Sequence, residues 1–461
     1  MYDSTVEPLG RSQERLGDVR VSAGRRALLL LCIYMLGLPL WWVLGLDFAM
    51  PLLLGGLLVC VAPGVHASFT PSDHLLGAVI VALGTAAYLN GFLLGQHTLR
   101  FAAALYNLSI WVCGLILLQQ ARAALLYRPG ASQVILRTGF VAFLTFATIA
   151  WASFLIAYAR RDLNLEMSTL FGLTLADMVP PSAALIRESA TVAFTRPDWG
   201  LPGVPMPRIV TYGPYPTAAA AVTAILGSLA LLHLHSRRGD QTLPTLAVEA
   251  LIVLTLAITL TRSILAGWLA GAVVAALVFG PAWRRVLAIG LVAIMIPLSF
   301  HVDLSSAADY REYSTESRFE NYYRAVARTL ERSPVLGLGV KPREIDNHIA
   351  VGSHSTFVSA FTKGGALALG LVVGYLVLLP AWRWLKTFAR LPLLSPARRE
   401  HLRILLTLQI ALWLWLCFED LDAPATAAML VFLSLALIEA GLSDRGGDPG
   451  HAPRMQRAVS P

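Results

Sequence analysis

Long apolar runs separated by short polar stretches dominate the chain, a block pattern that predicts helices crossing a membrane. A span needs about 20 mostly apolar residues. Twelve runs approach or exceed that length, centred near Tyr34, Gly56, Val81, Ser109, Phe146, Ala224, Val253, Ala272, Ala293, Val372, Leu412 and Phe432; the second, from Pro51 to Val65, is short. The fold class that follows is an all-α polytopic membrane protein of about 12 transmembrane helices, with two long loops on one side. Its parts are an N-terminal tail (1–26), helices one to five (27–159), a first long loop (160–213), helices six to ten with a second long loop at 301–354 (214–381), helices eleven and twelve (382–442) and a disordered tail (443–461).

Composition sharpens this picture. Of 461 residues 56% are hydrophobic and 14% charged, and a mean hydropathy of +0.64 excludes a soluble globular chain of this length. The formal charge of +8 gathers in the tail (Arg11, Arg15, Arg20, Arg25, Arg26) and at Arg122/Arg128/Arg137, Arg237/Arg238, Arg284/Arg285 and Arg383 to Arg403. Short loops rich in Lys and Arg stay in the cytoplasm. With twelve spans every one of these clusters, and both termini, falls on that side, so the charge is largely topological and gives little reason to expect nucleic acid as a partner. No small-residue cleavage site follows the first apolar run, which is read as an uncleaved span. Cys32, Cys60, Cys113 and Cys417 lie in apolar runs without ligand-like spacing, predicting neither a disulfide nor a zinc site.

Little in residues 27–159 suggests chemistry; His97 and Arg100 face outward, with an interface role favoured for both. In the first long loop the moderately apolar piece Leu163 to Leu185 is expected to lie on or dip into the membrane, and a Pro-rich segment leads to Arg208. Beside the membrane a guanidinium either anchors the chain or grips a phosphate with its forked donors. Glu249, inside the seventh run, is expected to be paired structurally. Arg262 sits between two apolar runs with almost no loop and needs an anionic partner, either Glu419, Asp420 or Asp422 on the same face or a substrate phosphate.

The second long loop carries nearly balanced charge. Phe319, Tyr322, Tyr323, Val326 and Leu330 recur at helical spacing, predicting a helix that lies along the membrane with its arginines upward. Of those charges only Arg318 and Arg324 stand out as ligand contacts. Pro334 and Gly337-Leu338-Gly339 form a turn. His354, flanked by Ser353, Ser355 and Thr356, precedes the tenth run, where a helix start offers free N–H groups to an anion and an imidazole accepts a proton near neutral pH. Lys363, two to three turns further on, should be paired or line a cavity.

Taken together, TRSILAGWLAGAVVAAL, ESRFENYYRAVARTLERSPVLGLGV and GSHSTFVSAFTKGGALALG resemble the core domain of the O-antigen ligase and polymerase family. The matching features are Thr261-Arg262, Arg318, Pro334 to Gly339, His354-Ser355 and Gly364-Gly365, and RIVTYGPYPTAAAAV resembles the segment carrying the family's upstream arginine, here Arg208. The resemblance covers about 170 residues strongly. It implies a glycosyltransferase of a bacterial inner membrane, with its active site facing the periplasm, that moves a glycan from a polyprenyl (undecaprenyl) diphosphate to an acceptor hydroxyl without a metal or other cofactor. His354 would orient or deprotonate the acceptor, Arg262 and Arg208 would hold the diphosphate, and Arg318 and Lys363 would be further phosphate contacts. The acidic trio Glu419, Asp420 and Asp422 keeps a metal from being excluded.

Lipid-linked oligosaccharide and membrane lipids are the implied partners, with a chain-length regulator or envelope assembly proteins as candidates. Ser355 stands where the family commonly has Asn. That difference favours a polymerase of O-antigen or exopolysaccharide over a ligase to lipid A core. A protein O-glycosyltransferase is a smaller alternative. The competing class is a transporter or flippase of lipid-linked sugars, which would place charged or broken-helix residues near the midplane of both halves.

Overall fold

The computed structural model describes residues 9–61, 68–93, 98–178, 189–201, 204–213, 215–237, 242–290, 312–342, 354–423 and 425–443. The apolar runs fold as helices: α1 (Leu9–Leu36), α2 (Leu38–Leu44), α3 (Met50–Val61), α4 (Pro71–Ala86), α5 (Thr98–Tyr127) and α6 (Ala131–Arg160). Among the described residues eight helices are long and apolar enough to cross a membrane, and a ninth span forms if α1 and α2, bent by 59°, are taken as one. The run near Gly56 is a 12-residue helix and the run near Val253 one of 17 residues. The run centred near Ala293 falls largely outside the described residues. Helix α1 starts at Leu9, well inside the stretch expected to be a tail.

After α6 come β1 (Glu166–Ser168), α7 (Leu170–Leu175), β2 (Thr191–Ala193), β3 (Thr195–Leu201) and β4 (Val204–Ile209). The first long loop is therefore not featureless: β1 pairs with β2 and β3 with β4, both antiparallel. The prolines do not prevent the second ladder, because in a two-stranded ribbon each strand has an open edge that needs no N–H donor. Leu170, Leu173, Leu175 and Met178 are exposed on this loop, as an apolar piece resting on a membrane would be.

The second half builds α8 (Pro216–His235), α9 (Thr242–Ile258), α10 (Arg262–Phe279), α11 (Glu312–Arg332), α12 (Thr356–Val373), α13 (Leu379–Ala389), α14 (Pro396–Phe418) and α15 (Ala425–Leu442). Helix α12 runs through a π-helical turn into α13, so this apolar unit extends to Ala389, past the boundary expected at 381. Helix α8 is the axis of the bundle, its apolar stretch wholly buried. Helices α10 and α14 approach closely because Gly267 and Gly271 have no side chain: a Cβ on Gly267 would stand 3.0 Å from Ala411 Cα. Outward, Leu29, Val81, Leu254 and Leu277 are exposed on helices that are apolar all round, a belt suited to lipid rather than water.

At one end of the bundle several charges pair with one another. Arg122 pairs with Asp73 and, at 3.2 Å, with Glu439, which also takes Arg383 at 2.8 Å. Nearby, Arg403 pairs with Glu249 at 2.6 Å and Glu400 at 2.8 Å, and Arg284 reaches Glu400 at 3.0 Å. Glu249 is thus paired as expected. These residues come from the basic clusters read as facing one side, and all lie at the end opposite His354.

Candidate functional site

Helix α12 is built around a break. Gly365, inside it, has φ +65°, a left-handed conformation that L side chains rarely adopt. The break frees the carbonyls of Thr362 and Lys363, which accept from Leu338 N at 2.7 Å and Gly339 N at 2.9 Å; the N–H of Ala366 in turn donates to Pro334 O at 2.8 Å. Gly337, at φ +69°, completes the fit, since a Cβ there would stand 2.4 Å from Gly365 N. The Pro334–Gly339 turn and the Gly364-Gly365 pair, two separate motifs in the sequence, are therefore one interlock. It gives partners to backbone groups on both sides of the break and fixes α11 over the start of α12.

Helix α11 forms where its period predicts. Asn321, Ala325 and Thr329 are buried, whereas Phe319, Tyr323 and Leu330 are more than half exposed. Small residues allow the close approach to α12, and the aromatic side faces outward. Tyr322, between these faces, donates its hydroxyl to His354 O.

His354 immediately precedes the N-cap of α12. Its φ is +69°, an uncommon conformation for a residue with a side chain. Ser355 caps the helix, its Oγ accepting from Val358 N at 3.3 Å. One residue on, Thr356 Oγ1 donates to Glu419 O at 2.7 Å and accepts from Leu421 N at 3.0 Å. The α14–α15 loop, Glu419 to Asp422, is thereby clasped to the start of α12.

That loop carries three buried carboxylates: Glu419, Asp420 and Asp422. Burying unpaired charge is costly, and each has a partner. Thr217 donates to Glu419, Lys341 pairs with Asp420, and Lys363 pairs with Asp422, which also accepts from Trp111 Nε1 at 3.1 Å. Arg100 supports this arrangement by donating to Lys341 O at 2.7 Å. Burial raises the Glu419 pKa against the lowering pull of Thr217, Arg318, Lys341 and Arg208. Burial also works against the charged form of Asp422, but Lys363 and Lys341 outweigh it and hold that carboxyl below its usual value.

Four of the five sequence-predicted residues meet here. Arg318, on α11, acts on His354, Tyr322 and Glu419. Burial first, then Arg318 and Lys341, lower the His354 pKa to about 4. Arg208, at the end of β4, donates from Nε to Thr259 O at 2.8 Å, reaches Thr261 Oγ1 at 3.5 Å and is felt by Glu419. Lys363 is present but buried and committed to Asp422. Arg262, the fifth, begins α10 at the same end and is exposed on the α9–α10 turn that Arg208 holds.

Sequence reasoning passed over Lys341, and it named Glu419 only as a possible partner of Arg262 or metal ligand, not as a neighbour of Arg318 and Arg208. Their only local signal is charge in a loop beside apolar runs. Arg324 pairs with Glu320 one turn away on an exposed face. The arrangement offers an unprotonated imidazole within the field of fixed guanidinium charge, on a helix start positioned by backbone bonds. Neither a protein-family model nor a curated protein matches the chain.

Proposed function

We propose that this chain is an integral membrane glycosyltransferase that moves a glycan from a polyprenyl diphosphate to an acceptor hydroxyl at the end of the bundle holding His354. The observation that carries the reading is the convergence of His354, Arg318 and Arg208 around Glu419 from β4, α11, the start of α12 and the α14–α15 loop. In the full arrangement the chain has twelve spans, the His354 end faces the periplasm of a bacterial inner membrane, and the paired end with both termini faces the cytoplasm. The resemblance of the quoted motifs to the O-antigen ligase and polymerase core supports the same reading.

In this mechanism the acceptor oxygen attacks the anomeric carbon of the donor sugar. The bond from that carbon to the phosphate oxygen breaks, the diphosphate leaves with the electron pair, and the hydroxyl proton passes to His354. Arg208, Arg318 and Arg262 hold the diphosphate as charge develops on it. In the free protein His354 stands near 4 because of burial, Arg318 and Lys341. A bound diphosphate supplies negative charge that opposes this depression and draws the imidazole toward the range in which it accepts a proton. Lys363, matched by Asp422, is better suited to holding the acidic loop than to contacting phosphate.

A polymerase is favoured over a ligase to lipid A core, on Ser355 beside His354. Purified protein given one polyprenyl-diphosphate oligosaccharide, with chelator and no other acceptor, tests the reading. A ladder of longer lipid-linked chains is expected. Transfer only on addition of lipid A core would make it a ligase, and relocation of the donor across the bilayer without covalent change would make it a transporter.

A further inference from the structure

A second polar cleft lies at the same end of the bundle. It has a volume of about 50 Å³, and its walls include Asp47, Phe48, Tyr106, Ser189, Arg196 and Ala423. By the roughly 10–15 Å³ that one water requires, it holds on the order of four waters, enough for the hydroxyl edge of one sugar ring but not for a whole ring. Asp47 sits in the turn between α2 and α3. Its carboxylate accepts from Ser189 Oγ at 3.3 Å and forms no ion pair with any described residue. Burial pushes its pKa above the usual carboxylate range, so added hydroxyl donors would stabilise its charged form. Tyr106 donates to Phe48 O at 2.7 Å and fixes the turn.

The lining selects a chemical class. A carboxylate disfavours anions, and Arg196 in the same wall disfavours simple cations. A neutral polyol can donate to Asp47, exchange hydrogen bonds with Ser189 and lay its C–H face on Phe48 or Tyr106. The cleft also adjoins the reactive cluster through two of its lining residues. Ala423 directly follows Asp422, and Arg196 is the cross-strand partner of Arg208 in the β3–β4 ladder. Residues directly opposite in such a ladder share a face.

We infer that this cleft is a glycan subsite, binding the hydroxyl edge of a neutral sugar through Asp47 and Ser189. As the acceptor subsite of the transfer reaction it rests on the function proposed above, but its capacity to bind sugar does not. The full-length protein in nanodiscs should therefore first be tested by saturation-transfer NMR against free tri- to pentasaccharides of glucose, galactose, mannose, rhamnose and N-acetylglucosamine.

At least one of these is expected to bind, with Kd raised about tenfold by Asp47→Asn and a few-fold by the milder Ser189→Ala. In the transfer assay the same two variants should raise the KM for the lipid-linked oligosaccharide while leaving kcat within about twofold. Failure of every saccharide to bind, or equal binding by folded Asp47→Asn and Ser189→Ala, overturns the subsite. Saccharide binding that depends on Asp47, without any transfer from a lipid-linked donor, would keep the subsite and overturn the proposed reaction.

Discussion

The two ends of the bundle use the same residue types in opposite ways. At the paired end four arginines meet carboxylates: Arg122 with Asp73 and Glu439, Arg383 with Glu439, Arg403 with Glu249 and Glu400, and Arg284 with Glu400. At the His354 end two of the three acidic-loop carboxylates are taken by lysines and the third by a hydroxyl. Arg208 is steered by a backbone carbonyl, and Arg318 projects its charge onto His354 and Glu419. Closed pairs hold helices together. At the His354 end lysines satisfy two carboxylates and Arg208 is oriented in part by a backbone carbonyl, an arrangement that fits the anion site proposed above.

Substitutions at the two ends should therefore fail differently. The largest loss of stability is expected for Arg122→Ala, which strands Asp73 and Glu439 and should cost about 3–5 kcal/mol. Thermal unfolding in detergent should show it, with transfer per folded molecule unchanged. Next, Arg208→Lys or Arg318→Ala should lower kcat by roughly 10²–10³ while melting stays near wild type. A large melting shift without a rate defect would erase the distinction between the ends.

The acid response sharpens it further. His354 has its pKa lowered from an ordinary value of 6.5 to about 4. Between those values the unfolded chain binds a proton that the folded site refuses, so stability is complete above pH 6.5 and falls as the pH drops toward 4, by up to about 3 kcal/mol. His354→Gln should remove that acid-sensitive part of the melting profile. Gly365→Ala puts a side chain at φ +65° with its Cβ 2.2 Å from Val335 O. It should cost at least about 1–3 kcal/mol and, by loosening the seat of His354, lower kcat more than KM.

The helices were legible because lipid demands long apolar runs, and their centres fall within the helices described, the run near Ala293 excepted. The rest depends on partners distant in sequence. The β3–β4 ladder arises from cross-strand register, which a Pro-rich segment does not advertise. Likewise Gly337 and Gly365 explain each other only once the turn sits in the helix break. Helix α11 forms where periodicity places it, and its aromatic stripe stays exposed, as a face laid on a membrane would, while Asn321, Ala325 and Thr329 face the bundle. Among the site residues, His354, Arg208 and Arg318 were visible as charge at membrane junctions. Lys341 and Glu419 acquire meaning only from the fold that joins their loops, and Asp47, a single acid in a short turn, drew no notice.

The central claim is that the His354 end carries out glycan transfer from a diphosphate carrier. Its most direct test compares wild-type protein with His354→Ala, both in nanodiscs and melting alike, on one polyprenyl-diphosphate oligosaccharide with chelator present, resolving products by size. The account predicts a ladder from the wild type and at least about 10²-fold less product from the variant. An equal ladder from both proteins would contradict it.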